Sequence, residues 1–208
     1  SPEGKLTAHG KPFRTETGSN LYWLTITGTL CNEARLYKDK DTWHIDGSPT
    51  EGALLALASK AGLDPDETDR KWERIDEIPF ESDYKFMATL SRSDDKNMIF
   101  LKGATEAVLS RCDKQMAENG EAEEIDRDWW IKRADALASK GFRILSLAMA
   151  ETLGDTDSIS FEQVDGGFIH IGLAAIMDPP RPEAVEAVKK CRQAGIRVKM
   201  ITGDHAKT

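Results

Sequence analysis

Asp178-Pro179-Pro180-Arg181 divides this chain more sharply than any other stretch. Each pyrrolidine ring fixes φ, removes an N–H donor and cannot continue a strand ladder. The chain is therefore expected to fold on either side of this point rather than through it. Residues 1–177 have room for a complete core. Residues 182–208 form one αβ unit: a helix over 182–194, a stop at Gly195, a strand over 197–201, then Thr202-Gly203-Asp204. One helix and one strand cannot bury their own apolar faces, so this unit reads as a piece of a second domain.

Upstream of the boundary the spacing of apolar residues switches between periods. Leu21, Trp23, Leu24, Ile26 and Leu30 predict a buried helix over 20–34. Short strands follow at 35–37 and 42–45 around a charged turn. Ser48-Pro49-Thr50-Glu51 opens a helix, with Ser48 as N-cap, Pro49 at the first helical position and Glu51 completing a capping box; Gly62 stops it. Asp64-Pro65 starts a second, shorter helix. Residues 75–80, 85–91 and 98–102 read as strands, and 93–97 as a hairpin turn. A helix over 105–111 precedes an acidic exposed loop at 116–125. Asp126 caps a helix running to Lys140, residues 143–150 form a strand, 154–165 a polar loop, and 168–177 a central strand. The expected class is α/β, a twisted and mainly antiparallel sheet flanked by helices.

Hydrophobic residues make up 39% of the 208, enough for an ordinary packed core. The formal net charge of -8 argues against nucleic-acid binding, which calls for a basic face. It leaves small anions open, because they respond to local charge. Cys31, Cys112 and Cys191 are scattered and lack metal-ligand spacing, which points to a reducing compartment. The longest apolar stretch, 168–177, is too short to span a bilayer, and the start shows no signal-peptide pattern.

Several residues carry chemistry, each with a bland alternative. An apolar strand running into Thr202-Gly203-Asp204 suits a phosphate and Mg²⁺ site at the C-terminal end of a parallel sheet. Lys102-Gly103-Ala104 offers a cation beside a side-chain-free approach for a flat ligand. Phe80 follows a proline at a strand end, placed for stacking or for the core. Lys85 and Lys102 either share one pocket or are two solvated lysines. Met87 lines that pocket or fills the core. Arg143 is a surface arginine or a planar fork for phosphate oxygens.

In order and spacing, Gly47–Leu54, Ile78-Pro79-Phe80 through Lys85 and Met87, Lys102–Glu106, and Asp178–Arg181 leading to Met200–Asp204 resemble the P-type cation-transporting ATPases. The similarity is greatest to the type II branch of calcium and sodium pumps, which Leu30-Cys31-Asn32-Glu33-Ala34 also fits. The resemblance implies a nucleotide-binding domain over 1–177, a hinge at 178–181, and over 182–208 part of a Rossmann-like phosphorylation domain of haloacid-dehalogenase type. It implies ATP as ligand and Mg²⁺ in the full-length protein. It also implies partners in the protein's own phosphorylation, actuator and transmembrane domains, and a position on the cytoplasmic side of a membrane.

Carried over residue by residue, the resemblance has Phe80 stack on adenine and Glu51 accept from the adenine amino group. Lys85 and Lys102 flank the base and reach toward the phosphates, while Met87, Gly103 and Ala104 line the pocket. Arg143 reaches the phosphate region, and Thr202, Gly203 and Asp204 sit by the γ-phosphate. Asp178, Pro179, Pro180 and Arg181 serve the hinge. The family's phosphorylated aspartate in Asp-Lys-Thr-Gly-Thr and its later Gly-Asp-Gly motif are absent. A monomeric fragment that binds ATP without hydrolysing it is thus implied, at a Kd of roughly 0.1 mM to several mM once association costs are met. Thr105 stands where many members have proline, and Tyr84 where a basic residue is common. A stand-alone phosphohydrolase would need a nucleophilic aspartate motif that is not found. A non-catalytic nucleotide-sensing module is the competing reading.

Overall fold

A short ladder opens the chain: β1 (Thr7–Ala8) pairs antiparallel with β2 (Lys11–Pro12) across His9 and Gly10, both at positive φ. The computed structural model describes residues 2–93, 96–152, 156–177 and 182–199. Ser19 caps α1 (Asn20–Leu30), its hydroxyl accepting from the Tyr22 N–H. The helix stops four residues short of the expected Ala34, and Asn32 supplies the reason. Its amide donates to the Gly28 carbonyl at 2.8 Å, and its carbonyl oxygen accepts from the Ala34 N–H at 2.8 Å. That pairing turns the backbone outward.

A hairpin of β3 (Arg35–Asp39) and β4 (Thr42–Asp46) lies against α2 (Pro49–Lys60). A Cβ on Gly52 would come within 2.6–2.9 Å of three Ile45 side-chain atoms, so glycine there is what lets the hairpin seat. Pro49 holds the first turn of α2 as expected, but the Ser48 side chain makes no capping bond. The capping-box expectation fails because Glu51 is drawn across to a lysine of the sheet. α3 (Pro65–Lys71) starts where Asp64-Pro65 marked it, and Asp64 caps it by accepting from the Glu67 N–H at 3.1 Å.

The central sheet collects β5 (Glu73–Ile78), β6 (Phe86–Ser93), β7 (Lys96–Gly103), β8 (Cys112–Met116), β9 (Ala122–Glu124), β10 (Arg143–Glu151) and β11 (Phe168–Ile176). Its order is β5-β6-β7-β10-β11-β8-β9, open at both ends and antiparallel except where β11 meets β8. The α/β class with a mainly antiparallel sheet is thus what folds. Residues 116–125, expected as a loop, instead contribute the end of β8 and all of β9. β11 is internal, as its apolar sequence required.

Alternation along the strands builds two cores. Met87, Met98, Phe100, Leu147 and Ile171 face α1 and α2, where Leu24, Ile26 and Leu54 meet them. Phe86, Ala88, Leu90, Ile99, Leu101 and Ala148 point the other way, onto Val108 of α4 (Thr105–Leu109) and Cys112. The following α5 (Arg127–Ala138) is capped by Asp126, which accepts from the Trp129 N–H at 2.9 Å. Last comes α6 (Pro182–Gln193), in which every described side chain is exposed or half-buried. Residues 196–199 carry no strand, so the expected strand at 197–201 is absent as far as it is described; 200–208 lie outside the described residues.

Candidate functional site

One end of the sheet gathers most of the candidate residues. Phe86, the first residue of β6, pairs with Gly103, the last of β7, and Gly103 also pairs with Ser146 of β10. The β5–β6 connection, the Lys102-Gly103-Ala104 turn and the start of β10 therefore share that end. The first turn of α2 lies over it, because Glu51 forms an ion pair with Lys102.

Lys102 continues the Met98–Phe100 face of β7, so its side chain enters the α2-facing layer and is only 6% exposed. A buried ammonium needs a counter-charge, and the Glu51 carboxylate, 15% exposed, supplies it. Removing either partner of such a pair typically costs about 3–5 kcal/mol because the other charge stays buried. Next in α2, the Thr50 hydroxyl accepts from the Arg143 guanidinium at 2.9 Å. A single helical turn thus holds one cation in the interior and a second at the rim. Thr50 had no signature in the sequence; only its neighbourhood to Glu51 pointed at it.

Met87 is fully buried in the α1-facing core, and its carbonyl accepts from the Cys31 thiol at 3.3 Å. Burial pushes that thiol up to about 11. The role of Gly103 is set by the neighbouring strand. A Cβ there would fall 2.7 Å from the Cα of Phe86 and closer still to the Lys85 carbonyl. That carbonyl accepts from the Ala104 N–H at 2.9 Å, and Lys85 itself sits at φ 58°. The small residues of the turn admit the backbone of Lys85, which is enough to require them.

β5 ends at Ile78, two residues before the expected end, because Pro79 has no N–H to give the ladder. Phe80 consequently leaves the sheet, and the residue is 55% exposed. Lys85 is exposed as well, as is Arg143. The site therefore presents an exposed aromatic residue and two exposed cations at one end of the sheet, with the Glu51–Lys102 ion pair buried at the same end. Glu81 and Asp83 lie exposed on the same connection. Such a surface suits a flat ring bearing an anionic tail. No three His, Cys, Asp or Glu side chains converge as metal ligands among the described residues. Asp178, Pro179, Pro180, Arg181, Thr202, Gly203 and Asp204 lie outside the described residues. No helix among the described residues is long and apolar enough to cross a membrane.

Residues 20–183 match the family described as P-type ATPase, cytoplasmic domain N. The chain is 43% identical over 183 residues to "Cation-transporting ATPase pma1" of Synechocystis, covering 88% of this chain and 20% of that protein. It is 38% identical over 197 residues to "Probable cation-transporting ATPase F" of Mycobacterium tuberculosis, covering 95% and 22%. A "Calcium-transporting ATPase" of Bacillus subtilis is 34% identical over 215 aligned positions, covering 100% and 24%. The chain spans about a fifth to a quarter of the length of these relatives. With a family match running through α1, the whole central sheet and the residues of the site, the chain belongs to the P-type ATPases, as their cytoplasmic N domain.

Proposed function

We propose that this chain binds ATP for a P-type pump that moves a cation across a membrane. The exposed ring of Phe80, set at the same sheet end as Lys85, Lys102 and Arg143, is the observation that carries the reading. Adenine stacks on Phe80, and Glu51 accepts from the adenine amino group when the Lys102 pair yields one of its carboxylate lone pairs. Lys85 and Lys102 flank the base, Gly103 and Ala104 line the pocket with Met87 as core packing behind it, and Arg143 reaches the phosphates. Affinity is low, roughly 0.1 mM to several mM, because one stacked face and few phosphate ligands leave little after association costs.

In the whole protein this domain delivers the γ-phosphoryl group to an aspartate carboxylate elsewhere in the chain. The bond from the bridging oxygen to phosphorus breaks, ADP leaves, and water later cleaves the aspartyl phosphate. The domain's share is positioning and electrostatics. Residues 1–177 form the nucleotide-binding domain, 178–181 the hinge, and 182–208 part of a phosphorylation domain of haloacid-dehalogenase type. There Thr202, Gly203 and Asp204 approach the γ-phosphate, and Mg²⁺ is held. The exposed apolar residue Val185 supports this division, since α6 has a face suited to neighbours outside 1–177. The assembled protein places the domain on the cytoplasmic side of a membrane, with actuator and transmembrane domains as its partners. The 208-residue chain is a monomer that holds ATP intact, because no aspartate in it stands in the phosphorylation motif.

Phe80→Ala tests the reading. Loss of stacking should weaken ATP at least about tenfold, read by NMR titration with shifts clustered at Glu51, Phe80, Lys85 and Lys102. Unchanged affinity in a folded variant would rule out stacking at this position.

A further inference from the structure

The Phe80 ring is half exposed, so contacts of its own do little to fix its direction. Its aim depends on the backbone that carries it, the connection 79–85 between β5 and β6. Two bonds cross that connection. The Tyr84 hydroxyl donates to the Pro79 carbonyl at 2.6 Å, immediately before Phe80. The Lys85 N–H donates to the Glu81 carbonyl at 2.8 Å, immediately after it. The second bond is local backbone geometry and closes a turn. The first needs one side chain, and only tyrosine among the apolar-bodied residues brings a hydroxyl to that distance.

Tyr84 is itself held. Its ring lies 4.9 Å from that of buried Phe86 and 5.0 Å from that of Phe161, in tilted and edge-on geometry. The Arg111 guanidinium sits over Phe86 at 4.3 Å. Phe161 belongs to the 156–167 segment, which is tied back to the sheet where the Ile159 N–H donates to the Asp76 carboxylate at 2.9 Å. Asp76 lies in β5, the strand that leads into Pro79. The restraint therefore closes on itself: strand to Pro79, Pro79 to Tyr84, Tyr84 to Phe161, and Phe161 by way of Ile159 to the same strand.

We infer that Tyr84 is the positioning residue for Phe80, its hydroxyl setting the loop in which the ring meets a purine. This rests on the stacking role proposed for Phe80. Nothing in the geometry asks Tyr84 to touch the ligand; it acts through the carbonyl of Pro79. Its effect should appear in the base and not in the phosphates.

The test uses Tyr84→Phe, which keeps the ring packing and removes only the donor, alone and combined with Phe80→Ala. Adenosine, ATP and tripolyphosphate are titrated by NMR on the 208-residue chain, with the thermal midpoint recorded for each variant. Loss of the hydroxyl should weaken adenosine and ATP roughly three- to tenfold and leave tripolyphosphate unchanged. Amide order parameters at Phe80 and Glu81 should fall from about 0.85 toward 0.6 while those of β6 and β7 hold. In the Phe80→Ala background the same substitution should cost adenosine nothing further, the non-additivity expected of two residues acting as one. Adenosine affinity that is unchanged in Tyr84→Phe but lowered in Phe80→Ala overturns the inference and leaves the stacking role standing. An equal loss in both backgrounds overturns it too. If Phe80→Ala leaves adenosine untouched, stacking fails and this inference goes with it.

Discussion

His170 has no exposed surface, and its Nε2 shares a hydrogen bond with the Ser146 hydroxyl at 2.8 Å. The Trp130 ring closes over it edge-on at 4.4 Å. Burial pushes the imidazole down to about 3 from its ordinary 6.5. Between those values the unfolded chain binds a proton that the folded chain refuses. The His170 contribution to stability is therefore complete above pH 6.5 and is lost as pH falls toward 3, by about 1.4 kcal/mol per pH unit. Its ring resonances should show no titration above pH 5, and urea melts should show the matching loss between pH 7 and pH 5, about 2 kcal/mol from this group. A ring that titrates near pH 6 would contradict the burial described. Glu51 shows what residue-level reading reaches and what it misses. A capping box is a pattern of four consecutive residues, and those residues are present. The ion pair that replaces it joins positions 51 residues apart, a distance over which local pattern carries no information.

At the scale of elements, Gly103 makes the clearest prediction. A Cβ there meets backbone, not the end of a flexible side chain, so nothing nearby can yield cheaply. Gly103→Ala should lower the unfolding free energy by about 1–3 kcal/mol in a urea melt and weaken protection of the Ala104 amide. An unperturbed melt would mean that β6 and the turn move apart more easily than their register suggests. Strands β5, β6, β7, β10 and β11 were legible because apolar alternation or continuous burial marked them. β8 and β9 were not. Ala122, Glu123 and Glu124 are all exposed, so no alternation distinguishes an edge strand from a loop there. The failed ends follow one rule. Asn32 stops α1 through side-chain bonds, and Pro79 stops β5 by lacking a donor; the proline was visible in sequence but its exact effect on Phe80 was not.

Across the whole molecule, the boundary read at Asp178–Arg181 divides two very different burial records. The sheet with α1, α2 and α4 supplies the two cores, whereas α6 contributes no buried side chain among those described. A chain ending at Met177 should keep its urea-unfolding free energy within about 0.5 kcal/mol of the parent, the range of surface changes. A fall of several times that would place α6 in the cooperative unit. The order of the sheet has a consequence during synthesis. β6 and β7 can pair as soon as both leave the ribosome, but β10, which covers the other edge of β7, begins 40 positions later, at Arg143. Until then Met98, Ile99, Phe100 and Leu101 sit on an unpaired rim of a nascent hairpin, the kind of edge that recruits other chains. Vectorial emergence thus leaves the middle of this sheet to be finished last.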